Sequence, residues 1–440
     1  MSPKRKAGIA IFLLMVTALS IIVFPIIGAN ALSDFELNLF EYSKTFSGNS
    51  QIISDLTENI DMLSYKIYAY AVHLLYEHLG LDATLAVRIP SVLLIIAITS
   101  TLYLFNALYE TLNHSFLASA LFICCGAIML MTFIASPVLI PAYILILTLI
   151  TLYNQIKKKS IKHLISLTAT ITLLTLTVGC YAVAVVAIIA YLYLWTTSEK
   201  SRIAYLSITG AIVIATLIAF ILIILINRDP FAVHEVIRLN SYSQYSNFYN
   251  FLIAVLFTTF PWSIPLTISL FWVIRNPQWA ILEFKSLKPL QQYGITILLC
   301  TIPTMCYLNG LSIIMIIAAI FFNMIVMSNL FMLQLRHYAL AFRLTGITTA
   351  IIGATIAISY IVLKITTVTI LGYQIGLSDS DNSIVWVVIN IGLIAAFIYT
   401  LFKNTRSIHQ NNRYMYNIVI LYLLSAILFI GSVYPSLFIE

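Results

Sequence analysis

The chain has 440 residues, of which 61% are hydrophobic and only 9% are charged, and its mean hydropathy is +1.00. A soluble globular chain carries roughly 25% charged residues, so this composition cannot cover a water-facing surface. The 15 Gly and 12 Pro follow no regular period, which excludes a collagen-like chain, and the apolar content is far too high for a disordered chain. The composition therefore predicts a polytopic membrane protein. The formal charge of +7 comes without a soluble basic domain, so nucleic acid is not expected as a partner.

The first candidate span covers residues 8–29 and follows three basic residues at positions 4–6. It resembles a signal peptide because it ends near the small-residue pattern Ala-Asn-Ala at 29–31. Its apolar run of about 21 residues exceeds the usual 7–15, which favours an uncleaved first helix. With either interpretation, the following segment is expected outside the cytoplasm.

A spanning helix needs about 20 mainly apolar residues. Thirteen segments meet this description, and two adjacent pairs, near residues 180 and 310, leave the count open. The prediction is an all-α polytopic membrane protein with about 11–13 transmembrane helices. The candidates are 8–29, 88–108, 115–133, 137–154, 163–179, 181–196, 203–226, 250–274, 293–308, 311–332, 344–363, 383–402 and 415–433.

The basic residues predict the orientation, because cytoplasmic loops carry an excess of Lys and Arg. With the N-terminus in the cytoplasm, 17 of the 23 basic residues fall in inner loops and 13 of the 16 acidic residues fall outside. An odd number of spans then places the C-terminus in the periplasm. The whole chain is predicted to be one transmembrane domain without a C-terminal soluble domain.

The first outer loop, residues 30–87, is the longest and carries eight acidic residues. Two stretches within it, around Phe35–Tyr42 and 65–76, alternate apolar and polar residues with helical spacing but are too short or too mixed to span. Both are predicted to be amphipathic helices that lie in the membrane interface, a depth that suits their tyrosines.

The second outer loop, residues 227–249, contains His234, Glu235 and Arg238, and a third covers about 364–382. The ionisable groups outside thus gather at one membrane face. A carboxylate can take a proton from an attacking hydroxyl, and arginine suits a phosphate through its planar fork of donors. The pattern is compatible with group transfer from a lipid phosphate, but equally with a solvated polar face and arginines that reach toward headgroups. His234 and Glu235 alone are too few for a metal site, so no cofactor is predicted and a divalent metal has no support.

Several segments resemble bacterial GT-C glycosyltransferases, the relatives of aminoarabinose transferase and of protein O-mannosyltransferases. Residues 79–94, LGLDATLAVRIPSVLL, resemble the family segment FG…ALRLPSALL, and residues 35–41, FELNLFE, resemble its acidic motif D-E-A-R-Y-A-E. Residues 65–70 are similar to KPPLYYW without its prolines, residues 234–238 to EHIQRF, residues 260–265 to LPWSLFLP and residues 306–308 to RYLLP. The ordered set covers roughly residues 8–310.

The resemblance implies transfer of a sugar from a polyprenyl-phosphate carrier to an acceptor at the outer face of a bacterial inner membrane. The acceptor would be a glycolipid such as lipid A, or a protein, and membrane lipids would surround the enzyme. The resemblance implies that the catalytic base is Asp34, or Glu36 if the register of the alignment with the acidic motif is shifted. The implied ligands of the donor phosphate are Lys66, Arg88, His234 and Arg238. Further candidates for the site are Glu41, Glu235 and Tyr307.

The chain departs from the family pattern at three positions. The family often has a carboxylate in an LPD segment, where this chain reads Ala135-Ser136-Pro137-Val138 with no carboxylate, and Asn38 and Cys306 replace basic residues. These departures keep a non-catalytic GT-C pseudoenzyme open as an alternative. A transporter or a flippase for lipid-linked sugars is the other alternative, although it would favour polar residues at mid-membrane.

Overall fold

The structure is a computed structural model. It describes residues 32–44, 63–123, 125–197, 202–227, 284–307 and 312–333, a strand pair within 368–375, and scattered positions between 275 and 399. The described α-helices are numbered in chain order. They are α1 (Asp34–Lys44), α2 (Leu63–His73), α3 (Ala83–Tyr109), α4 (Leu112–Ile123), α5 (Gly126–Phe133), α6 (Leu139–Lys158), α7 (Ile161–Val178), α8 (Cys180–Thr196), α9 (Arg202–Asn227), α10 (Pro289–Tyr307) and α11 (Ser312–Leu333).

The described part confirms a helical membrane fold. Within it, α3, α6, α7 and Arg202–Ile224 of α9 are long and apolar enough to cross a membrane. The predicted span 115–133 is instead two helices, α4 and α5, that meet at a bend of 63°. The break at residue 180 is confirmed, because Gly179 has φ 94° and separates α7 from α8.

The predicted interfacial helices are also present. α1 and α2 have 11 residues each, and α2 continues into a π-helical turn over Leu74–His78. α1 packs against α2, and both pack against α3. The predicted spans 8–29, 250–274 and 415–433 lie outside the described residues, as do 344–363 and 383–402 apart from scattered positions.

A short antiparallel hairpin was not predicted. β1 (Val368–Ile370) pairs with β2 (Tyr373–Ile375) inside the predicted third outer loop. The β-branched and aromatic residues of these two segments favour strands, but each segment is too short to stand out from a loop by its pattern.

The bundle buries an aromatic cluster between its helices. The rings of Tyr153, Tyr193 and Tyr293 lie 5.0–6.3 Å apart by their centroids, and Phe322 packs 5.5 Å from Tyr293. The hydroxyl of Tyr293 donates to the carbonyl of Leu149 at 2.8 Å, so the buried ring keeps a polar partner. The cluster ties α6, α8, α10 and α11 together.

A smaller core lies where the two interfacial helices meet the start of α3. It is formed by Leu39 and Phe40 of α1, Tyr68 and Val72 of α2, and Val87 of α3, together with several neighbours. This interfacial core encloses the polar groups described next.

Candidate functional site

The first turn of α1 is closed by a capping box. The carbonyl of Ser33 accepts the first helical bond, from the amide of Leu37 at 2.8 Å, so Ser33 is the N-cap. The hydroxyl of Ser33 accepts from the amide of Glu36 at 3.4 Å, while the Glu36 carboxylate accepts from the Ser33 amide at 3.0 Å. This reciprocal pair satisfies two amides that a helix end otherwise leaves open, and it fixes where α1 begins.

The Glu36 carboxylate also forms a buried ion pair with α3. The Nε and Nη2 atoms of Arg88 each donate to a different oxygen of Glu36 at 2.8 Å, and both side chains are fully buried. This side-by-side arrangement is the strong, directional form of an arginine–carboxylate contact. It ties the first interfacial helix to the sixth residue of a spanning helix.

The connection between α5 and α6 is bonded to the same group. The amide of Ala135 donates to Glu36 Oε1 at 3.1 Å, and the amide of Ser136 donates to the hydroxyl of Ser91 at 2.8 Å. The Tyr68 hydroxyl lies 2.7 Å from that of Ser91 and donates to the carbonyl of Val87 at 2.8 Å. One network therefore links α1, α2, α3 and the segment 135–138.

The network determines the charge state of Glu36. Burial by itself raises the pKa of a carboxyl group, but the Arg88 guanidinium and the amides of Ser33 and Ala135 outweigh it. The pKa of Glu36 therefore lies below its ordinary value, and the group stays ionised with its charge balanced by Arg88. Burial raises the pKa of Tyr68 well above its ordinary value, so Tyr68 remains a neutral donor.

The opposite face of α1 is open. Asn38 and Glu41 are exposed, and Glu41 forms a surface ion pair with Lys44 at 2.8 Å. Glu36, Leu39, Phe40 and Ser43, in contrast, are buried. At the helical spacing of i, i+4 and i+7, position 34 belongs to the same stripe as Asn38 and Glu41.

Basic side chains of α2 complete this region. Lys66 and His73 are both buried, and the rings of His73 and Tyr70 are stacked at 6.4 Å. The Tyr65 ring packs against Phe35 at 6.3 Å and Tyr42 at 5.5 Å, and so joins the two interfacial helices.

The predicted site residues have different outcomes. Glu36 and Arg88 contact each other directly where α1 meets α3, and Lys66 is a buried residue of α2. Asp34 is the first residue of α1 and Tyr307 is the last residue of α10, and the structure describes the backbone but not the side chain of each. Glu41 lies on the exposed face of α1, and His234, Glu235 and Arg238 lie outside the described residues.

The network contains residues that sequence reasoning missed. Ser33 had a signal, because Ser-x-x-Glu before an apolar pattern is the signature of a capping box. Tyr68, Ser91 and the Ala135 amide had none, since their contacts depend on how distant segments meet. Within the described part of the chain, no group of three His, Cys, Asp or Glu side chains is arranged to hold a metal ion.

The described part thus combines spanning helices with two short helices that follow the first predicted span, and a buried ion pair joins α1 to α3. Its membrane fold is GT-C-like, because it is similar to the fold of solved structures of ArnT from Cupriavidus metallidurans, a GT-C aminoarabinose transferase. The structure bound to undecaprenyl phosphate superposes with a TM-score of 0.62 at 13% identity and covers 96% of this chain and 77% of ArnT. The apo structure gives a TM-score of 0.65 at 14% identity, with 97% and 78% covered. No family model and no curated protein matches the sequence.

Proposed function

We propose that the chain is a membrane glycosyltransferase that moves a sugar from a polyprenyl-phosphate carrier to an acceptor at the periplasmic face. The observation that carries this proposal is the GT-C-like fold, since the similarity to ArnT extends over 96–97% of the chain and one ArnT structure holds undecaprenyl phosphate. The ordered sequence motifs between residues 8 and 310 support it independently. The acceptor would be a glycolipid or a protein.

The proposed reaction needs one base. A hydroxyl oxygen of the acceptor attacks the anomeric carbon, the bond from that carbon to the phosphate oxygen breaks, and the polyprenyl phosphate leaves with the bonding electrons. The attacking hydroxyl gives its proton to a carboxylate, which we assign to Asp34. Its position on the stripe of Asn38 and Glu41 supports this choice, because that face of α1 is open to an acceptor.

Glu36 has a different role in this proposal. Its carboxylate accepts from Ser33, Arg88 and Ala135, and a base held ionised by such partners has little affinity for a proton. The Glu36–Arg88 pair is proposed to hold the start of α1, and with it Asp34, at a fixed height against α3. Lys66, His234 and Arg238 then provide the charge for the leaving phosphate. Arg88 has no direct part in binding the phosphate in this proposal, because its charge is balanced by Glu36.

The proposed topology follows the distribution of charge. The chain is proposed to form one transmembrane domain in a bacterial inner membrane, with its N-terminus in the cytoplasm and its C-terminus in the periplasm. The lipid chain of the donor would lie along the apolar faces of the helices. Glu41, Glu235 and Tyr307 remain further candidates at the periplasmic rim.

Transfer by the purified chain tests the proposal. The chain in detergent would be supplied with polyprenyl-phosphate sugars and a membrane lipid extract, and the labelled product would be measured. We expect transfer by wild type and a loss of at least about a hundredfold in Asp34→Asn, the scale of general base catalysis. The matched control is Asp82→Asn, which makes the same chemical change at an exposed aspartate of the same predicted outer loop and should retain most of the activity.

The possible outcomes separate the alternatives. Equal activity in Asp34→Asn and wild type would remove the base assignment but keep the enzyme. Movement of labelled donor across a vesicle membrane without transfer would favour a flippase. Donor binding with neither transfer nor movement would favour a pseudoenzyme.

A further inference from the structure

The connection between α6 and α7 carries a dense positive charge at the far end of α6 from the Glu36 network. Four lysines, Lys157, Lys158, Lys159 and Lys162, lie within six residues, and neither α6 nor α7 contains an acidic residue. Lys158, Lys159 and Lys162 are exposed. We call residues 157–162 the lysine turn.

The lysine turn has a fixed backbone. Lys159 takes the left-handed conformation with φ 47°, and its amide donates to the carbonyl of Gln155 at 2.9 Å, which ends α6. The hydroxyl of Ser160 accepts from the amide of His163 at 3.4 Å, which caps α7. Two residues therefore separate two spanning helices, and the lysines are displayed on a preformed turn.

The last two residues of the lysine turn, Ile161 and Lys162, are also the first two residues of α7. The amides at the start of a helix and its positive dipole end favour an anion, and phosphate groups bind in such positions. Because Ser160 already accepts from the amides of His163 and Leu164, the amides of Ile161 and Lys162 remain for a phosphate. No acidic side chain occupies the first turn of α7. The amides and the lysine side chains thus attract the same kind of group.

The surroundings of the turn are apolar and exposed. Ile161 is 75% exposed and Ile165 is 64% exposed, so α7 presents aliphatic side chains beside the lysines. Apolar residues next to a basic cluster match the boundary between acyl chains and headgroups. A soluble anion would satisfy the lysines but would leave the isoleucines without a partner.

The position along the membrane agrees with this boundary. α6 has 20 residues, so it separates the segment 135–138 from the lysine turn by about 30 Å. That length is about the thickness of the hydrocarbon core. The lysine turn therefore lies at the membrane face opposite the Glu36 network.

We propose that the lysine turn is a binding site for the phosphate headgroup of an anionic phospholipid. The phosphate contacts the lysines and the first turn of α7, and the acyl chains lie against Ile161 and Ile165. This site is separate from the proposed donor site and does not depend on sugar transfer.

Lipid binding to the full purified chain tests the site. Native mass spectrometry in detergent would measure apparent affinities for phosphatidylglycerol and phosphatidylcholine, with inorganic phosphate as the probe for a soluble anion. A surface lysine contributes about fivefold to the affinity for anionic lipid. We expect Lys158→Gln/Lys159→Gln/Lys162→Gln to bind phosphatidylglycerol at least tenfold more weakly, with phosphatidylcholine binding unchanged.

The matched control keeps the charge. Lys158→Arg/Lys159→Arg/Lys162→Arg should bind phosphatidylglycerol within about threefold of wild type. A thermal melt without added lipid checks that both triple variants are folded. The proposal is overturned if the Gln variant keeps the wild-type preference for phosphatidylglycerol, or if inorganic phosphate displaces that lipid and stabilises the chain to the same extent.

Discussion

The buried ion pair between Glu36 and Arg88 leads to the most direct prediction. The carboxylate and the guanidinium share two 2.8 Å hydrogen bonds, and neither side chain is exposed. Glu36→Gln keeps the size of the side chain but removes the charge that balances Arg88. Removal of one partner from a buried pair costs about 3–5 kcal/mol, chiefly because the other charge stays buried. We expect Glu36→Gln to lower the free energy of unfolding by that amount.

The measurement is equilibrium unfolding of the purified chain in detergent, followed by intrinsic fluorescence. Glu41→Gln is the matched control, because it makes the same chemical change in the exposed pair with Lys44, also 2.8 Å long. An exposed pair contributes about 0–1 kcal/mol, so this variant should unfold almost as wild type does. If Glu36→Gln is no less stable than Glu41→Gln, the ion pair does not hold α1 to α3 and the assigned role of Glu36 is wrong.

A double-variant cycle separates the pair from its surroundings. Arg88→Met alone leaves the Glu36 carboxylate buried with the amide and hydroxyl of Ser33 and the amide of Ala135 as its remaining described donors. The double variant Glu36→Gln/Arg88→Met removes both charges. We expect it to lose less stability than the two single variants combined, because neither charge is left unbalanced. Strict additivity in the cycle would show that the two groups do not interact.

Three further predictions concern the pH response and the packing of the bundle. The pKa of Glu36 is lowered on folding, so its stabilising contribution is complete above the ordinary value of 4.5 and is lost as pH falls below it. Acid titration of unfolding should show this loss in wild type and a flatter response in Glu36→Gln. Gly294→Ala would place a Cβ 2.9 Å from Val326 and should destabilise by about 1–3 kcal/mol. Gly210→Ala meets no atom within 4 Å and should be neutral or stabilising in the same melts. Tyr68→Phe removes the hydrogen bonds with the Val87 carbonyl and the Ser91 hydroxyl and should cost about 1–2 kcal/mol, whereas Tyr65→Phe should cost little.

The sequence predicted the parts of this fold that depend on local patterns. Apolar runs longer than about 17 residues predicted α3, α6, α7 and α9, and mixed polar and apolar spacing predicted α1 and α2. The bend between α4 and α5 was not predictable in this way, because residues 115–133 are apolar on both sides of it. Hydropathy reports the solvent around a segment, whereas a bend also depends on packing against neighbouring helices.

The candidate site was predicted with less detail for a similar reason. The family resemblance placed Glu36 in an acidic motif, and hydropathy placed Arg88 at the start of a predicted spanning helix, but neither could show that the two residues bind each other. That contact joins residues 52 positions apart. The capping signature Ser33-x-x-Glu36 was missed, although this pattern indicates that the Glu36 carboxylate bonds back to its own helix end.

The departure from the GT-C pattern at residues 135–138 leaves the hydrogen-bond network intact. This segment binds the network through the amides of Ala135 and Ser136, which almost any residue supplies. The carboxylate of the pattern follows the proline and would stand at Val138, outside these two hydrogen bonds. The missing carboxylate therefore costs the network nothing in stability, and its effect should fall on ligand binding or turnover rather than on folding.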